Sequence, residues 1–240
     1  MQQIDVLIFG AHPDDVECGV AGTALLLHEQ GIPFAIVDLT KGEMGSRGTV
    51  EERIREAEKS SLLLGAIARE NLDLGDTALE DSLVSRRQIA SVIRRYRPQL
   101  VLAPYWDDLH SDHVAAGLMI RNSLIYCSLA KLDDPHPPHK PKQFLYYLLH
   151  KYHDPTFIVD ISEVFPRKLD ALRSYTSQFS KTATEYGVVP VGIGDYLFHI
   201  ESRNRYFGSL ANVRYGEPLI SEHPIKLEDL TVLLRPNARC

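Results

Sequence analysis

Cysteine is scarce and scattered in this chain. Its three residues, Cys18, Cys127 and Cys240, form neither a CxxC pair nor the even count of a disulfide framework. A thiolate metal knuckle and a disulfide scaffold are both excluded, and Cys18 reads as a small buried residue of a helix. No apolar run approaches membrane-spanning length and no basic-then-apolar leader opens the chain, so a cytoplasmic protein without a membrane partner is expected. Basic charge is not in excess either. The formal net charge of -6 argues against a nucleic-acid partner. Also missing is a G-x-G-x-x-G turn after the first strand, where Gly10-Ala11-His12 stands instead, which removes the dinucleotide-binding reading. What is present is ordinary globular material, 240 residues at 44% hydrophobic and 24% charged, enough for one domain with a full core.

Ile4 to Phe9 is a nearly continuous apolar run, the mark of a central parallel strand covered on both faces. After it Val16, Val20 and Ala24 recur at helical spacing, as do Ala21 and Leu25. Gly31 suits the C′ position of that helix, and Gly19 and Gly22 let it pack close to a sheet. Phe34 to Leu39 is a second strand. Thr49-Val50-Glu51-Glu52 fits a capping box for a helix that runs to about Leu64, with Gly65 closing it. A weak strand near Asn71 to Leu74, a helix from Ser82 to Tyr96 and a strand from Leu100 to Ala103 complete a β-α-β-α-β-α-β order. Arg86, Arg87, Arg94, Arg95 and Arg97 on that third helix read as a solvated face. Asp133 to Pro141 is a Pro-rich connector whose His136 and His139 are expected to be exposed rather than ligands. Phe144 to Leu149 and Phe157 to Ile161 read as strands, Glu163 to Tyr175 and Tyr196 to Phe207 as helices, and the tail after Glu222 as strand or coil. With no repeat and no linker, the expectation is a single α/β domain over residues 1–240, Rossmann-like, with a mostly parallel sheet and helices on both faces.

The chemistry-bearing residues cluster at two strand exits. Ala11-His12-Pro13-Asp14-Asp15 places an imidazole and two carboxylates within four residues, beyond the carboxyl end of the first strand, where ligand sites of open α/β sheets collect. His12 and one Asp can hold a divalent metal while the other Asp takes a proton from water. The plainer alternative is an Asx-turn with Asp14 or Asp15 capping the helix. Tyr105 to His113 leaves the fourth strand and brings His110, Asp112 and His113 to the same sheet edge. Two such sets facing each other favour a metal site. The loop Lys41 to Gly48, rich in glycine, can approach a ligand with its backbone, and Glu43, Ser46 and Arg47 on it are candidate substrate contacts. Arg53 lies in the first turn of the next helix, poorly placed for the helix dipole, and points to an external anionic partner or to a salt bridge with a nearby Glu.

With His12-Pro13-Asp14-Asp15 and His110-Ser111-Asp112-His113 in view, the sequence resembles the PIG-L/LmbE-like family of zinc-dependent N-acetylglucosamine deacetylases. Glu17, Gly19, Gly22 and Thr23 continue the resemblance, as do Thr40-Lys41-Gly42-Glu43 with Gly45, Arg53 with Glu56 and Ala57, and Leu64-Gly65. The Pro-rich connector and Tyr215-Gly216-Glu217-Pro218 look most like the branch that deacetylates N-acetylglucosaminyl-malate in bacillithiol synthesis. The resemblance implies an LmbE-like fold, often hexameric, and one Zn²⁺ per chain, with Fe²⁺ or another divalent ion as a substitute. It further implies His12, Asp15 and His113 as metal ligands, Asp14 as general base, His110 as the group that helps the tetrahedral intermediate, and Arg53 in substrate binding. A tyrosine over the site is expected from Tyr196, Tyr206 or Tyr215, with Tyr215 the candidate substrate contact. The residue chemistry reaches the same reaction class. Two His and one Asp leave open positions on zinc. Asp14, sharing a turn with Asp15, stays free to take the water proton, and Asp112 can orient a protonated His110. The rivals are a Mg²⁺-dependent phosphoryl-transfer protein, disfavoured because magnesium prefers oxygen ligands, and a non-catalytic metal-stabilised module, disfavoured by the surplus Asp14. Within the family, the alternative is a deacetylase of another N-acetylglucosamine conjugate.

Overall fold

The computed structural model describes residues 4–179, 196–229 and 231; Cys240 and the far end of the tail lie outside the described residues. Strand β1 (Val6–Gly10) is buried along its whole length. It pairs in parallel with β2 (Phe34–Asp38) on one side and with β4 (Leu100–Pro104) on the other. Next to β2 lies β3 (Ala68–Asn71), next to β4 lies β5 (Gln143–Tyr147), and both pairings are parallel. Strand β7 (Gly216–Ile220) runs antiparallel between β5 and β6 (Phe157–Asp160), giving the order β3-β2-β1-β4-β5-β7-β6. The chain winds one way from β1 to β3 and the other way through β4 and β5. Between β1 and β4 is therefore the switch point where such sheets open a crevice. The turns that leave these two strands are the two His/Asp stretches.

Helices α1 (Asp15–Glu29), α2 (Val50–Leu64), α5 (Phe165–Leu172) and α7 (Tyr196–Leu210) cover one face of the sheet. Helices α3 (Leu83–Tyr96) and α4 (Ser111–Ser128) cover the other, and the short α6 (Thr176–Phe179) follows α5. The expected capping box is present: Thr49 accepts from the Glu52 N–H, and Glu52 accepts from the Thr49 N–H. Gly65 closes α2 at φ 79°. On α1, a Cβ on Gly19 would overlap the Tyr147 ring and one on Gly22 would overlap Ile161, so the two glycines set how closely the helix approaches the sheet.

Three expectations need correction. Strand β3 starts three residues earlier than its apolar pattern suggested, because it is a half-buried edge strand of mixed polarity; Leu72 and Leu74 pack on the core from the loop beyond it. Strand β7 lacked a strand signal because Pro218 interrupts it. Arg94 is not on a solvated face. It is 1% exposed and donates to the carbonyls of Tyr126, Cys127 and Leu129 at the end of α4 and to that of His136 in the connector. Of its neighbours, Arg86 pairs with Asp81 and Arg95 with Glu70. His139 lies in the connector as expected, its Nε2 held at 2.6 Å by the Pro98 carbonyl.

Candidate active site

Asp14 stands at the N-cap position of α1 but does not cap it. Its backbone is in the left-handed region at φ 112°, and its side chain makes no cap hydrogen bond. Such a conformation costs a non-glycine residue about 1–3 kcal/mol and collects at functional sites. Asp15 Oδ2 accepts the His12 backbone N–H at 2.9 Å, which closes the turn and fixes that carboxylate. The plainer reading of this turn therefore fits Asp15 in part and Asp14 not at all.

The two histidines at the centre are oriented from behind by carboxylates. His12 Nε2 lies 3.1 Å from Asp76 and 3.2 Å from Asp112, which leaves Nδ1 facing Asp15 Oδ2 at 3.6 Å. His113 Nδ1 lies 2.8 Å from Asp108, which leaves Nε2 facing Asp15 Oδ1 at 3.2 Å. Asp15 is thus between the two inward nitrogens. Atoms bound at about 2.1 Å to a tetrahedral zinc are about 3.4 Å apart; the two Asp15 contacts lie near that edge, through different oxygens, Oδ2 toward His12 and Oδ1 toward His113. Carboxylates behind each imidazole are the usual means of fixing the metal-binding tautomer. The electrostatics agree. Burial alone would lower His12, yet hydrogen bonds to Asp112, Asp15 and Asp76 raise it to about 12. Burial likewise opposes His113, and Asp15 and Asp108 raise it to about 9. Asp15 is held below the usual carboxylate range against its burial, by His113 foremost. The site attracts positive charge.

Asp14 behaves in the opposite sense to its neighbour. Burial pushes its carboxyl up to about 7, against Arg53 and with help from Asp15. His110 caps α4, its Nδ1 accepting the Asp112 N–H at 3.2 Å. Burial, His113 and His12 all lower its pKa. With Nδ1 taken up as the cap acceptor, Nε2 is the ring nitrogen left to donate. Asp112 does not orient it through its carboxylate, which instead takes His12 Nε2 and the Thr77 N–H. His110, His12 and His113 bring one nitrogen each within 4.8 Å of one another.

These groups line a cavity of about 300 Å³ together with Cys18, Met44, Gly45, Arg53, Asp76, Thr77, Leu149, His150, Phe179 and Tyr196. Arg53 is buried and reaches the cavity, but Nη1 donates to the Gly42 carbonyl and Nη2 to the Pro13 carbonyl, with Asp14 at 3.6 Å. It braces the chain through these two carbonyls and also lines the cavity. A Cβ on Gly42, at φ 67°, would overlap the guanidinium, so this loop needs glycine for that contact. The other expected substrate contacts are not among the residues lining the cavity. Glu43 accepts the Asp76 N–H and the Lys41 N–H, Ser46 is exposed, and Arg47 exchanges hydrogen bonds with Gln178. Tyr215 is packed 3.7 Å from the Phe165 ring beside a separate cavity, and its hydroxyl donates to Glu201. Of the three candidate tyrosines only Tyr196 lines the site.

A family model described as PIG-L, GlcNAc-PI de-N-acetylase, matches residues 7–124, from β1 through most of α4. The diacetylchitobiose deacetylase of Thermococcus kodakarensis is 31% identical over 227 residues, covering 88% of this chain and 80% of that protein. The chain belongs to the PIG-L/LmbE-like deacetylase family. It is an enzyme of the deacetylase kind, and the family description and this relative's name both specify N-acetylglucosamine-containing substrates. A probable N-acetyl-alpha-D-glucosaminyl L-malate deacetylase of Bacillus anthracis is 29% identical, over 75% of this chain and 84% of that one. The crystal structure of a conserved protein from Thermus thermophilus superposes with a TM-score of 0.86 at 33% identity, covering 95% of this chain and 99% of that one. Among the described residues no helix is long and apolar enough to cross a membrane.

Asp76, Asp108 and His150 were missed in the sequence. Asp108 stood beside Asp107 with nothing to choose between them. Asp76 and His150 lie past the carboxyl ends of β3 and β5, and the strand-exit rule that found His12 would have found both.

Proposed function

We propose that this deacetylase removes the N-acetyl group of an N-acetylglucosamine conjugate at the β1/β4 crevice, with His12, Asp15 and His113 holding one divalent cation. The observation that carries this is the position of Asp15 between the two inward nitrogens, with Asp14 outside that triad and facing the cavity. Imidazole and carboxylate donors suit Zn²⁺, and the same set accepts Fe²⁺. When bound, the cation supplies Lewis acidity, acidifying water and polarising the amide carbonyl. Asp14 takes the proton of the attacking water, a task that suits a carboxyl pushed up to about 7 and kept clear of a helix cap. His110 donates its Nε2–H to the developing charge on the amide oxygen and needs no second proton to do so. Asp14 then returns its proton to the departing amine as the C–N bond breaks. Arg53 holds Asp14 and the glycine loop in register through Pro13 and Gly42.

For the aglycone, the cavity wall favours a neutral saccharide over malate. Met44, Leu149, Phe179 and Tyr196 are part of its lining, the last two with rings stacked at 5.0 Å, and apolar faces of this kind suit a sugar ring. Asp14, Asp15 and Asp76 face the same space, and among the described lining residues the one side chain that is always cationic is Arg53, which gives one N–H of each Nη to a carbonyl. Malate would bring two more carboxylates. The test is amine release from diacetylchitobiose and from N-acetylglucosaminyl-malate under identical conditions. A higher kcat/KM for the disaccharide is expected; a higher value for the malate conjugate would overturn the neutral-aglycone reading and leave the deacetylase reading standing.

A further inference from the structure

His150 is held more tightly than the fold requires. It lies just beyond β5, and its own carboxylate partner, Asp108, grips it twice. Oδ2 accepts its backbone N–H at 2.8 Å, and Oδ1 lies 2.9 Å from its Nδ1. The same Oδ1 takes His113 Nδ1 at 2.8 Å and the His110 backbone N–H at 3.0 Å. The His150 ring also stacks on that of His113, centroids 5.0 Å apart and planes 10° from parallel. Behind it the Leu149 carbonyl accepts from Arg203, and Lys151 pairs with Asp107 at 2.5 Å. The segment around it is stapled on both sides.

A side chain under this many restraints would be ordinary in a core, but His150 is 32% exposed and lines the cavity. Asp108 Oδ1, 2.9 Å from His150 Nδ1, is a carboxylate oxygen that also meets two other nitrogens, so it accepts and His150 Nδ1 donates. That fixes the tautomer. In the neutral ring Nε2 carries a lone pair, and among the described residues nothing is bonded to it. We infer that His150 is a substrate-positioning residue whose Nε2 accepts a hydrogen bond from a hydroxyl of the bound sugar. This inference rests on the deacetylase reading and adds a contact to it. A pre-set acceptor suits a hydroxyl, which can donate, and disfavours a carboxylate, which cannot. The rigid Asp108 clamp removes the entropy that a mobile histidine would lose on binding.

The test uses the full chain loaded with its metal, N-acetylglucosamine conjugates and their monodeoxy analogues. His150→Asn keeps an amide donor near the Nδ1 position for Asp108 and removes the acceptor beyond it; His150→Gln carries an oxygen towards the Nε2 position. On the parent conjugate His150→Asn should raise KM roughly 3–10-fold with kcat little changed, the size expected for one neutral hydrogen bond. His150→Gln should recover part of that loss. On the one deoxy analogue lacking the contacted hydroxyl, wild type and His150→Asn should have equal KM. Equal penalties on every analogue would overturn the inference, as would a His150→Asn protein that lost its metal, since the residue would then act through His113. A wild-type protein releasing no amine from any conjugate would instead overturn the deacetylase reading itself.

Discussion

The turns after β1 and β4 have nearly the same composition, histidines and aspartates in a run of a few residues, and they do opposite things. After β4 the backbone is relaxed and the polar groups are spent on one another: Asp108 accepts from His110, His113 and His150, and Asp112 accepts from Thr77 and contacts His12. After β1 the chain is held at φ 112° at Asp14, and that carboxylate caps nothing. Both turns bring histidines to the cavity, but the carboxylates after β4 are taken up by neighbours while Asp14 after β1 is left without a cap bond. The difference shows that residue type gives a site its chemistry, while unspent hydrogen-bonding capacity shows which residue performs it.

Removing the cation should have the largest effect, because it takes away what both turns are arranged around. Treatment with a strong chelator is expected to reduce amine release to background, and added Zn²⁺ to restore it; turnover surviving full metal depletion, verified by elemental analysis, would break the hydrolytic account. Next comes Asp14→Gly, which removes the proposed base and its backbone strain together. Its rate should fall roughly 10²–10⁴-fold, while its unfolding free energy in denaturant should rise by about 1 kcal/mol. A loss of stability in this variant would mean the β1 turn is relaxed as well. Asp108→Ala should act on the other turn. Metal affinity should weaken about 10–100-fold, read by competition with a chromophoric chelator, and kcat at saturating metal should recover much of its value. The smallest effect belongs to Tyr215→Phe. With its ring packed on Phe165 away from the cavity, KM should be unchanged, and the lost bond to Glu201 should cost about 1 kcal/mol or less in thermal unfolding.

Legibility in the sequence divides along the same physical lines. Four of the five parallel strands, all but the half-buried β3, and the helices between them were readable because a strand buried on both faces must be apolar throughout, as Val6 to Gly10 is, and because Thr49, Gly31 and Gly65 mark helix ends by backbone chemistry alone. Strand β7 was not readable, since its place between β5 and β6 is set by long-range pairing that its own proline obscures. His12, Asp14, Asp15, His110 and His113 do converge on one cavity. Arg53 was noticed for the right reason, a cation where the helix dipole disfavours one, but its partners are the carbonyls of Pro13 and Gly42, which no spacing rule reveals. Arg94 misled for the same reason, because carbonyl acceptors at a distant helix end leave no trace in the sequence.

The central claim is the division of labour between two adjacent carboxylates, and metal content measured on two purified asparagine variants tests it most directly. Asp15 lies between the inward nitrogens of His12 and His113, so Asp15→Asn should leave the protein with little or no bound metal. Asp14 lies outside that triad, so Asp14→Asn should hold about one ion per chain, as wild type does, and yet be nearly inactive. An Asp14→Asn protein without metal beside an Asp15→Asn protein with a full complement would contradict the account and reverse the two roles.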